Sequence, residues 1–195
     1  CATLLSTGAR RGAMMATLRC DHPDIEAFVE AKRDPRALRH FNVSVLVTDA
    51  FMHAVRDDRE WPLRFPCQRS GEGPGAAAAP VVRTVSAAAL WERILRAAYD
   101  TAEPGVLFID RINAENNLHY QEHLAATNPC GEIPLPAYGA CNLGSVNLPR
   151  LVRDPFGPGA RIDYEELQSV TREAVRFLDD VIDLTEVPLA KQAVV

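Results

Sequence analysis

The sequence predicts an α/β protein built around a parallel sheet, and two features of the chain lead to this fold class. Short, nearly continuous apolar segments occur at residues 13–18, 41–47 and 106–109, as expected for strands buried on both faces. Stretches with helical spacing of apolar residues separate them, at 24–34 and 86–102. Strands that alternate with helices along a chain are typical of a parallel sheet.

The first third of the chain contains the clearest strand and two helix signals. Residues 41–47 are rich in β-branched side chains and predict a strand. Asp24 can cap the helix before it, which should end near Pro35 because proline disfavours helical geometry in the preceding residue. Thr48 or Asp49 can cap a second helix over residues 50–56.

A change of composition marks the next part of the chain. Residues 57–87 combine Trp-Pro and Phe-Pro pairs with a Gly/Pro-rich centre and four consecutive alanines. This composition predicts an exposed insertion or hairpin with a flexible tip. The helix that follows opens at Ser86 and runs to residue 102, and Gly105 then leads into the strand at 106–109.

The remaining chain is mostly irregular until its last helix. Residues 113–125 are polar and partly helical, residues 146–151 continue as strand or turn, and 153–161 form a Pro/Gly loop. Asp163 begins a long helix that extends to about residue 184. The apolar side of that helix is predicted to carry Leu167, Val170, Ala174, Phe177, Leu178, Val181 and Ile182.

Composition restricts the class of protein. The 195 residues are 47% hydrophobic and 24% charged, with a formal charge of −5, which disfavours a nucleic-acid binder. There is no apolar run of the ~20 residues needed to span a membrane and no secretory signal at the start. Five cysteines without a Cys-x-x-Cys pair are typical of reduced thiols in a cytoplasm. We interpret residues 1–195 as an incomplete segment of one domain.

The sharpest chemical signal lies in residues 126–136. Asn128, Cys130 and Glu132 place an amide, a thiol and a carboxylate at alternate positions. If the segment is extended, these side chains project from the same face at a spacing of roughly 6.5 to 7 Å. One sugar-sized ligand could then contact all three.

The neighbours of this group favour a chemical role. Pro129 favours extended geometry in the residue before it, and Gly131 permits a bend or a close approach to a ligand. Cys141 supplies a second thiol eleven residues after Cys130. Two thiols and a carboxylate suit dithiol redox chemistry or a cysteine nucleophile with a nearby base, and the pattern alone leaves both open.

Three other patterns have weaker functional interpretations. His119 and His123 complete a His-x-x-Glu-His pattern found in zinc proteases, but no distinctive third ligand accompanies them, so a solvated helix end is favoured and no metal site is predicted. Arg10 and Arg11 could hold a phosphate or stack on a base, although a basic surface turn explains them as well. Cys20 is predicted to be a small core residue, and no role is assigned to the cysteines at positions 1 and 67.

Several segments together resemble the large subunit of ribonucleotide reductase. The Asn-Pro-Cys-Gly-Glu sequence at 128–132 and the sequence at 141–148 are similar to its active-site finger loop. Further similarity lies at 8–15, 19–25, 41–45 and 103–108. The likeness covers nearly the whole chain, is weakest over 57–87, and is closest to the adenosylcobalamin-dependent class.

The resemblance implies a fold and a reaction. The fold is a ten-stranded α/β barrel of two five-stranded halves, with the finger loop at its centre, of which this chain would be an incomplete part that is inactive alone. The reaction is the radical-based reduction of ribonucleotides to deoxyribonucleotides for DNA synthesis.

Roles for individual residues follow from the same resemblance. Cys130 would form a transient thiyl radical, and Glu132 would accept the 3′-hydroxyl proton as general base. Asn128 would hold the sugar hydroxyls, and Cys141 would be one of two reducing thiols. Residues 128–132, including Pro129 and Gly131, would bind the substrate.

The cofactor and partners are implied in the same way. Adenosylcobalamin would supply the radical, a ribonucleoside di- or triphosphate would be the substrate, and a thioredoxin-type reductant would restore the thiols. Deoxynucleotide or ATP effectors would act on a cytoplasmic homodimer through a loop containing Gly8, Arg10, Arg11 and Gly12. Neither a nucleic acid nor a membrane is implied as a partner.

Three alternative functions remain open at this point. The first is the large subunit of a class I ribonucleoside-diphosphate reductase, which takes its radical from a second subunit. The second is a cysteine hydrolase that uses Cys130 with His119 or His123. The third is a non-catalytic nucleotide-sensing domain that depends on Arg10 and Arg11.

Overall fold

Strands and helices alternate along the first part of the chain, as the sequence predicts. The structure is a computed structural model that describes residues 12–34, 36–65, 79–187 and 190. A first compact unit extends to Ala137, and a second begins at Tyr138. In chain order the first unit contains β1 (Met14–Arg19), α1 (Ile25–Glu30), β2 (Phe41–Val47), α2 (Asp49–Arg56), β3 (Glu60–Arg64), β4 (Val81–Ser86), α3 (Ala87–Thr101), β5 (Gly105–Phe108), α4 (Ile109–Ala114), β6 (Leu124–Thr127) and β7 (Pro134–Pro136).

The parallel sheet predicted from the sequence is confirmed. Strands β1, β2 and β5 pair in parallel with β2 in the centre, and the register places Thr17, Ser44 and Gly105 side by side. The α/β class is therefore correct. Within the described residues the sheet stays open, so the closed barrel implied by the resemblance is not formed there, because three strands are too few to curl into a barrel.

Helices α1, α2 and α3 cover one face of the sheet. The buried core on this side consists of Cys20, Ile25, Val29, Val45, Val47, Phe51, Ala54, Leu63, Ala87, Leu90, Ile94 and Ala97. Phe51 is fully buried, and its ring packs edge-on against Trp61 and Trp91 at centroid distances of 5.2 and 6.3 Å. This aromatic cluster lies where α2, β3 and α3 meet.

Of the caps predicted at the starts of α1 and α2, only the one at α2 forms. Thr48 caps α2, since its Oγ1 accepts a hydrogen bond of 3.2 Å from the Phe51 N–H. Asp24 makes no such bond, and α1 ends at Glu30, earlier than the predicted end near Pro35. The chain turns after Ala31, whose N–H is bonded to the Phe28 carbonyl, so the last predicted turn of the helix is absent.

Residues 57–87 contain a hairpin that is anchored to the core. Strands β3 and β4 pair antiparallel, and the Arg64 N–H donates a 2.8 Å hydrogen bond to the Asp21 carbonyl. Leu63 is fully buried, whereas Val81 and Val82 are about half exposed. The hairpin is thus seated on the first unit through β3, while residues 66–78 lie outside the described ranges.

The second unit is a short hairpin followed by the long helix. It contains a 3₁₀ helix (Leu148–Leu151), β8 (Val152–Arg153), β9 (Arg161–Ile162) and α5 (Tyr164–Leu184). Asp163 caps α5 as predicted, because its Oδ1 accepts a 3.0 Å hydrogen bond from the Glu166 N–H. No residue of α5 is buried. Within the described ranges, no helix combines the length and hydropathy needed to cross a membrane.

Candidate functional site

Residues 128–133 form a closed turn between β6 and β7. The Asn128 N–H donates to the Ile133 carbonyl at 3.1 Å, and the Gly131 N–H donates to the Asn128 carbonyl at 3.0 Å. Gly131 has φ +88°, a conformation that glycine adopts without the penalty of a Cβ. The extended geometry considered for Asn128, Cys130 and Glu132 is therefore wrong, because the chain reverses direction here.

The Asn128 side chain has a structural task within this turn. It is buried, and its Oδ1 accepts a 3.0 Å hydrogen bond from the Ile133 N–H. With Oδ1 engaged, the amide nitrogen Nδ2 is the end of the side chain that can donate to a ligand. Contact with the sugar hydroxyls, the role implied for Asn128 by the resemblance, would therefore fall to its Nδ2 group and not to Oδ1.

Cys130 stands at the edge of a cavity of about 420 Å³. Its side chain is exposed, and so is that of Glu132. The cavity is lined by Met15, Asn42, Val43, Ser44, Ala102, Glu103, Gly105, Val106, Leu107, Pro129, Cys130 and Gly131. Its volume falls within the ~300–1,000 Å³ typical of small-molecule sites, so a ligand in it could contact the thiol.

The turn lies against the face of the sheet that the helices leave open. Alternate residues of a strand point to opposite faces, and Val45 and Val47 belong to the helix-covered core. Asn42 lies on the other side of β2, where its Nδ2 donates a hydrogen bond to the Pro129 carbonyl. On β1, the Thr17 hydroxyl donates to the Ala125 carbonyl at 3.5 Å. Two strands of the sheet therefore hold the hairpin that carries Cys130.

A charged group at the cavity ties β2 to the start of β5. Glu103 accepts a 3.1 Å hydrogen bond from the Val43 N–H and forms an ion pair with Lys32. The Lys32 ammonium also donates to the Phe41 carbonyl at 2.6 Å. Both side chains are largely buried, so this pair fixes the amino-terminal end of β2 next to the cavity.

Gly105 lies in close contact with Ser44 of β2, and both residues line the cavity. A Cβ at position 105 would lie 2.8 Å from the Ser44 Oγ, so a larger residue there would require the Ser44 side chain to move. Sequence reasoning missed Asn42, Ser44 and Glu103 as cavity residues. They lie far from residue 130 in the chain, and no spacing pattern connects them to it.

The other residues singled out from the sequence lie elsewhere. Cys141 is an exposed residue of the second unit. Gly8, Arg10 and Arg11 lie outside the described residues, and Gly12 lies two residues before the start of β1 at Met14.

The histidines of the zinc-protease pattern show no metal arrangement. The His119 Nδ1 lies 3.0 Å from the Asn116 carbonyl, so this imidazole nitrogen already contacts the backbone three residues earlier in the chain. Within the described part of the chain, no group of three or more His, Cys, Asp or Glu side chains could hold a metal ion. The pattern is consistent with an exposed polar segment.

Cys20 differs chemically from the exposed thiols. It is fully buried, and burial raises the pKa of its thiol to about 11. At pH 8 only about one molecule in a thousand then carries the reactive thiolate. Cys20 is a core residue, as the sequence predicts.

A labelling experiment separates the buried thiol from the exposed ones. We expect iodoacetamide at pH 8 to alkylate Cys130 and Cys141 at least about tenfold faster than Cys20, because burial suppresses both thiolate formation and reagent access at Cys20. Peptide mass spectrometry after timed quenching measures the three rates. Labelling in urea is the control, since unfolding should make Cys20 react like the others; equal rates in the folded protein would contradict the burial of Cys20.

Comparison with known proteins adds family information to this geometry. The family model for the barrel domain of ribonucleotide reductase matches residues 1–194. The vitamin B12-dependent ribonucleoside-diphosphate reductase of Mycobacterium tuberculosis is 45% identical over 93% of this chain and 24% of the relative. The protein of the same name from Thermoplasma acidophilum is 38% identical over 93% of the chain and 22% of the relative.

A relative described without vitamin B12 is also similar, at lower identity. The ribonucleoside-diphosphate reductase large subunit of Caenorhabditis elegans is 28% identical over 92% of the chain and 25% of the relative. The chain spans about a quarter of the length of the curated relatives it matches.

Proposed function

The chain belongs to the family of ribonucleotide reductase barrel domains, and from that premise we propose that it is part of the catalytic barrel of a cobalamin-dependent ribonucleotide reductase. The observation that carries the proposal is the closed turn of residues 128–133, which presents the exposed thiol of Cys130 at a cavity on the open face of a parallel sheet. In the complete barrel of ten strands, this open face would be the interior and the helix-covered face the outside.

The proposed reaction begins and ends at the Cys130 sulfur. Loss of the S–H hydrogen atom leaves a thiyl radical, which takes the 3′ hydrogen of the ribose and later returns it. The exchange is reversible because the S–H and 3′ C–H bonds are close in strength. Exposure of Cys130 at the cavity supports this role, since the sulfur must reach the sugar.

Three further residues are proposed to handle the protons, to bind the sugar and to supply the two reducing equivalents. Glu132 accepts the 3′-hydroxyl proton and later returns it, and its exposed carboxylate is accessible to a ligand. The 2′-hydroxyl takes a proton from one of the two reducing thiols and leaves as water, and the second thiol hydrogen goes to C2′. The Asn128 Nδ2 donates to the sugar oxygen, because its Oδ1 is held by the Ile133 N–H. Cys141 and a second thiol supply two electrons and two hydrogens and become a disulfide.

The cofactor proposal rests on the thiol and not on a metal cluster. Cobalt is carried by the corrin, so the proposal requires no group of protein metal ligands. The exposed Cys130 Sγ fits as the hydrogen donor to such a cofactor. Adenosylcobalamin, when bound, supplies the organic radical that takes this hydrogen.

The substrate and regulatory partners are proposed from the family. A ribonucleoside diphosphate is the favoured substrate, because the relatives of 45% and 38% identity are named for that activity. The effector loop containing Gly8, Arg10, Arg11 and Gly12, the thioredoxin-type reductant and the homodimer remain predictions from the resemblance.

The decisive assay compares two sources of the radical. We expect the full-length protein to convert ribonucleoside diphosphates to deoxyribonucleotides with adenosylcobalamin and a dithiol alone, at a rate in the ordinary enzyme range of about 1–1,000 per second. Product formation is measured by chromatography of labelled nucleotides. Activity that appears only with a radical-generating second subunit would assign the protein to class I, and no turnover under either condition would contradict the proposal.

The variant Asn128→Asp, measured in the same assay, tests the role proposed for the Asn128 side chain. This substitution keeps an oxygen that accepts from the Ile133 N–H, so the turn should persist, but it replaces the Nδ2 donor by a second carboxylate oxygen. We expect a loss of roughly a hundred- to a thousandfold in kcat. Unchanged kcat would exclude Asn128 as the proposed donor to the sugar.

A further inference from the structure

We infer that Asn42 is the residue that positions the Cys130 turn on the sheet. This inference rests on the proposed function for its kinetic consequence, but the contact on which it is built is independent of that function. The Asn42 Nδ2 donates a hydrogen bond to the Pro129 carbonyl, across 87 residues of sequence. No motif or spacing in the sequence connects these two positions.

The turn is closed by its own hydrogen bonds, so its position on the sheet depends on contacts outside the turn. Asn128 uses its N–H, its carbonyl and its Oδ1 for hydrogen bonds to residues 131 and 133. These bonds hold the turn closed wherever it lies. They do not determine where the turn sits relative to β2 and the cavity.

The hydrogen bond from Asn42 reaches the carbonyl oxygen of the peptide unit that leads into Cys130. The peptide unit from the Cα of Pro129 to the Cα of Cys130 is planar. A hydrogen bond that fixes the Pro129 carbonyl oxygen therefore fixes the plane from which the Cys130 side chain departs.

The strand that carries Asn42 is a firm support. β2 is the central strand and pairs with both β1 and β5. Its residues from Val43 to Val47 are buried, and the Lys32–Glu103 pair holds its amino-terminal end. Asn42 itself is exposed and lines the same cavity as Cys130, so its amide is available to the turn without a structural duty in the core.

The second tether is weaker and more distant from the thiol. The Thr17 hydroxyl reaches the Ala125 carbonyl at 3.5 Å, beyond the optimal O–H···O distance of about 2.7–2.8 Å. It attaches strand β6 and lies five residues before Cys130. Loss of the Asn42 contact would therefore leave the hairpin attached but the turn free to shift.

A shift of this size has a kinetic consequence. Displacement of a reacting group by about 1 Å can reduce the rate by about a hundredfold. The described hydrogen bond of Asn42 goes to the backbone of the turn that carries Cys130, so we expect the main effect on the chemical step. Asn42 is a positioning residue, and its loss should lower kcat with little change in KM.

The test uses Asn42→Ala and Asn42→Asp in the full-length protein, with Asn117→Ala as control. Asn117 is an exposed asparagine outside the cavity lining. Asn42→Asp preserves size and shape, but its carboxylate oxygen repels the Pro129 carbonyl instead of donating to it. We expect both Asn42 variants to lose roughly ten- to a hundredfold in kcat with KM within about threefold, and the control to match the wild type.

A second measurement does not depend on turnover. Alkylation of Cys130 relative to Cys141 is expected to accelerate in both Asn42 variants by about threefold or more, because an undocked turn exposes the thiol further. Asn117→Ala should leave the ratio unchanged. Circular dichroism shows whether each variant is folded, and Asn42→Asp serves if Asn42→Ala is not.

The outcomes separate this inference from the proposed function. A wild-type protein without reductase activity overturns the proposed function, while the alkylation ratio still decides the role of Asn42. An Asn42→Asp variant with wild-type kcat and a wild-type alkylation ratio overturns the positioning role. A raised KM with unchanged kcat also overturns it, because Asn42 would then contribute only to binding.

Discussion

Replacement of Cys130 by serine in the full-length protein is expected to abolish ribonucleotide reduction while nucleotide binding persists. Serine preserves the size of the side chain, but its O–H bond is much stronger than S–H, so the hydrogen atom can no longer be exchanged with the ribose. We expect a fall in kcat comparable to the loss of a reactive nucleophile, on the order of 10⁴-fold or more. Turnover is measured by product chromatography and binding by equilibrium dialysis of the nucleotide.

Cys141→Ser provides the contrast for this prediction. Cys141 is proposed to deliver reducing equivalents and not to start the reaction, so exchange of the substrate 3′ hydrogen should survive in Cys141→Ser and disappear in Cys130→Ser. Retained deoxynucleotide formation by Cys130→Ser would refute the radical role of this thiol. If exchange of the 3′ hydrogen were the same in both variants, the two thiols would not have different roles. The assignment of Cys141 as a reducing thiol would then be wrong.

Replacement of Phe51 by alanine is expected to have the largest effect on stability. Phe51 is fully buried and packs against Trp61 and Trp91. Removal of a buried aromatic ring of this kind costs about 3–5 kcal/mol in the free energy of unfolding, a large part of the ~5–15 kcal/mol typical of a folded domain. Urea unfolding followed by tryptophan fluorescence reports the change, since both indoles belong to the cluster.

Phe156→Ala is the matched control for the stability prediction. The same side chain is removed, but Phe156 is fully exposed, so the unfolding free energy should change by no more than about 0.5 kcal/mol. Phe51→Leu should fall between the two, because it retains part of the buried surface. A Phe51→Ala variant within about 1 kcal/mol of the wild type would show that this cluster is not a main source of stability.

Local sequence signals predicted the elements whose causes are local. The strand Phe41–Val47 has the predicted bounds because β-branched residues favour an extended backbone wherever they are placed. Thr48 and Asp163 cap the helices that follow them, since a cap requires only the next three residues. Gly131 permits the predicted bend for the same local reason.

Local signals were wrong or silent where pairing between segments decides the path of the backbone. The alternation of Asn128, Cys130 and Glu132 suggested an extended segment, but hydrogen bonds within the turn and antiparallel pairing of β6 with β7 reverse the chain. Leu63 lies in a stretch whose composition predicts exposure, yet it is buried because β3 is seated on the core. Which segments pair and which side chains become buried depends on the whole fold, so a short window of sequence does not predict it.

The sequence by itself determined the α/β class, the family and the chemical groups of the site. These depend on residue type and order: a thiol, a carboxylate and an amide within five positions, and strands that alternate with helices. Only the tertiary structure decided which face of the sheet carries the thiol and which distant residues line the cavity with it. It also brought the Asn42 amide to the Pro129 carbonyl. The physical reason is that hydrogen bonds and packing act over a few ångströms in space, and folding alone brings residues 87 positions apart within that range.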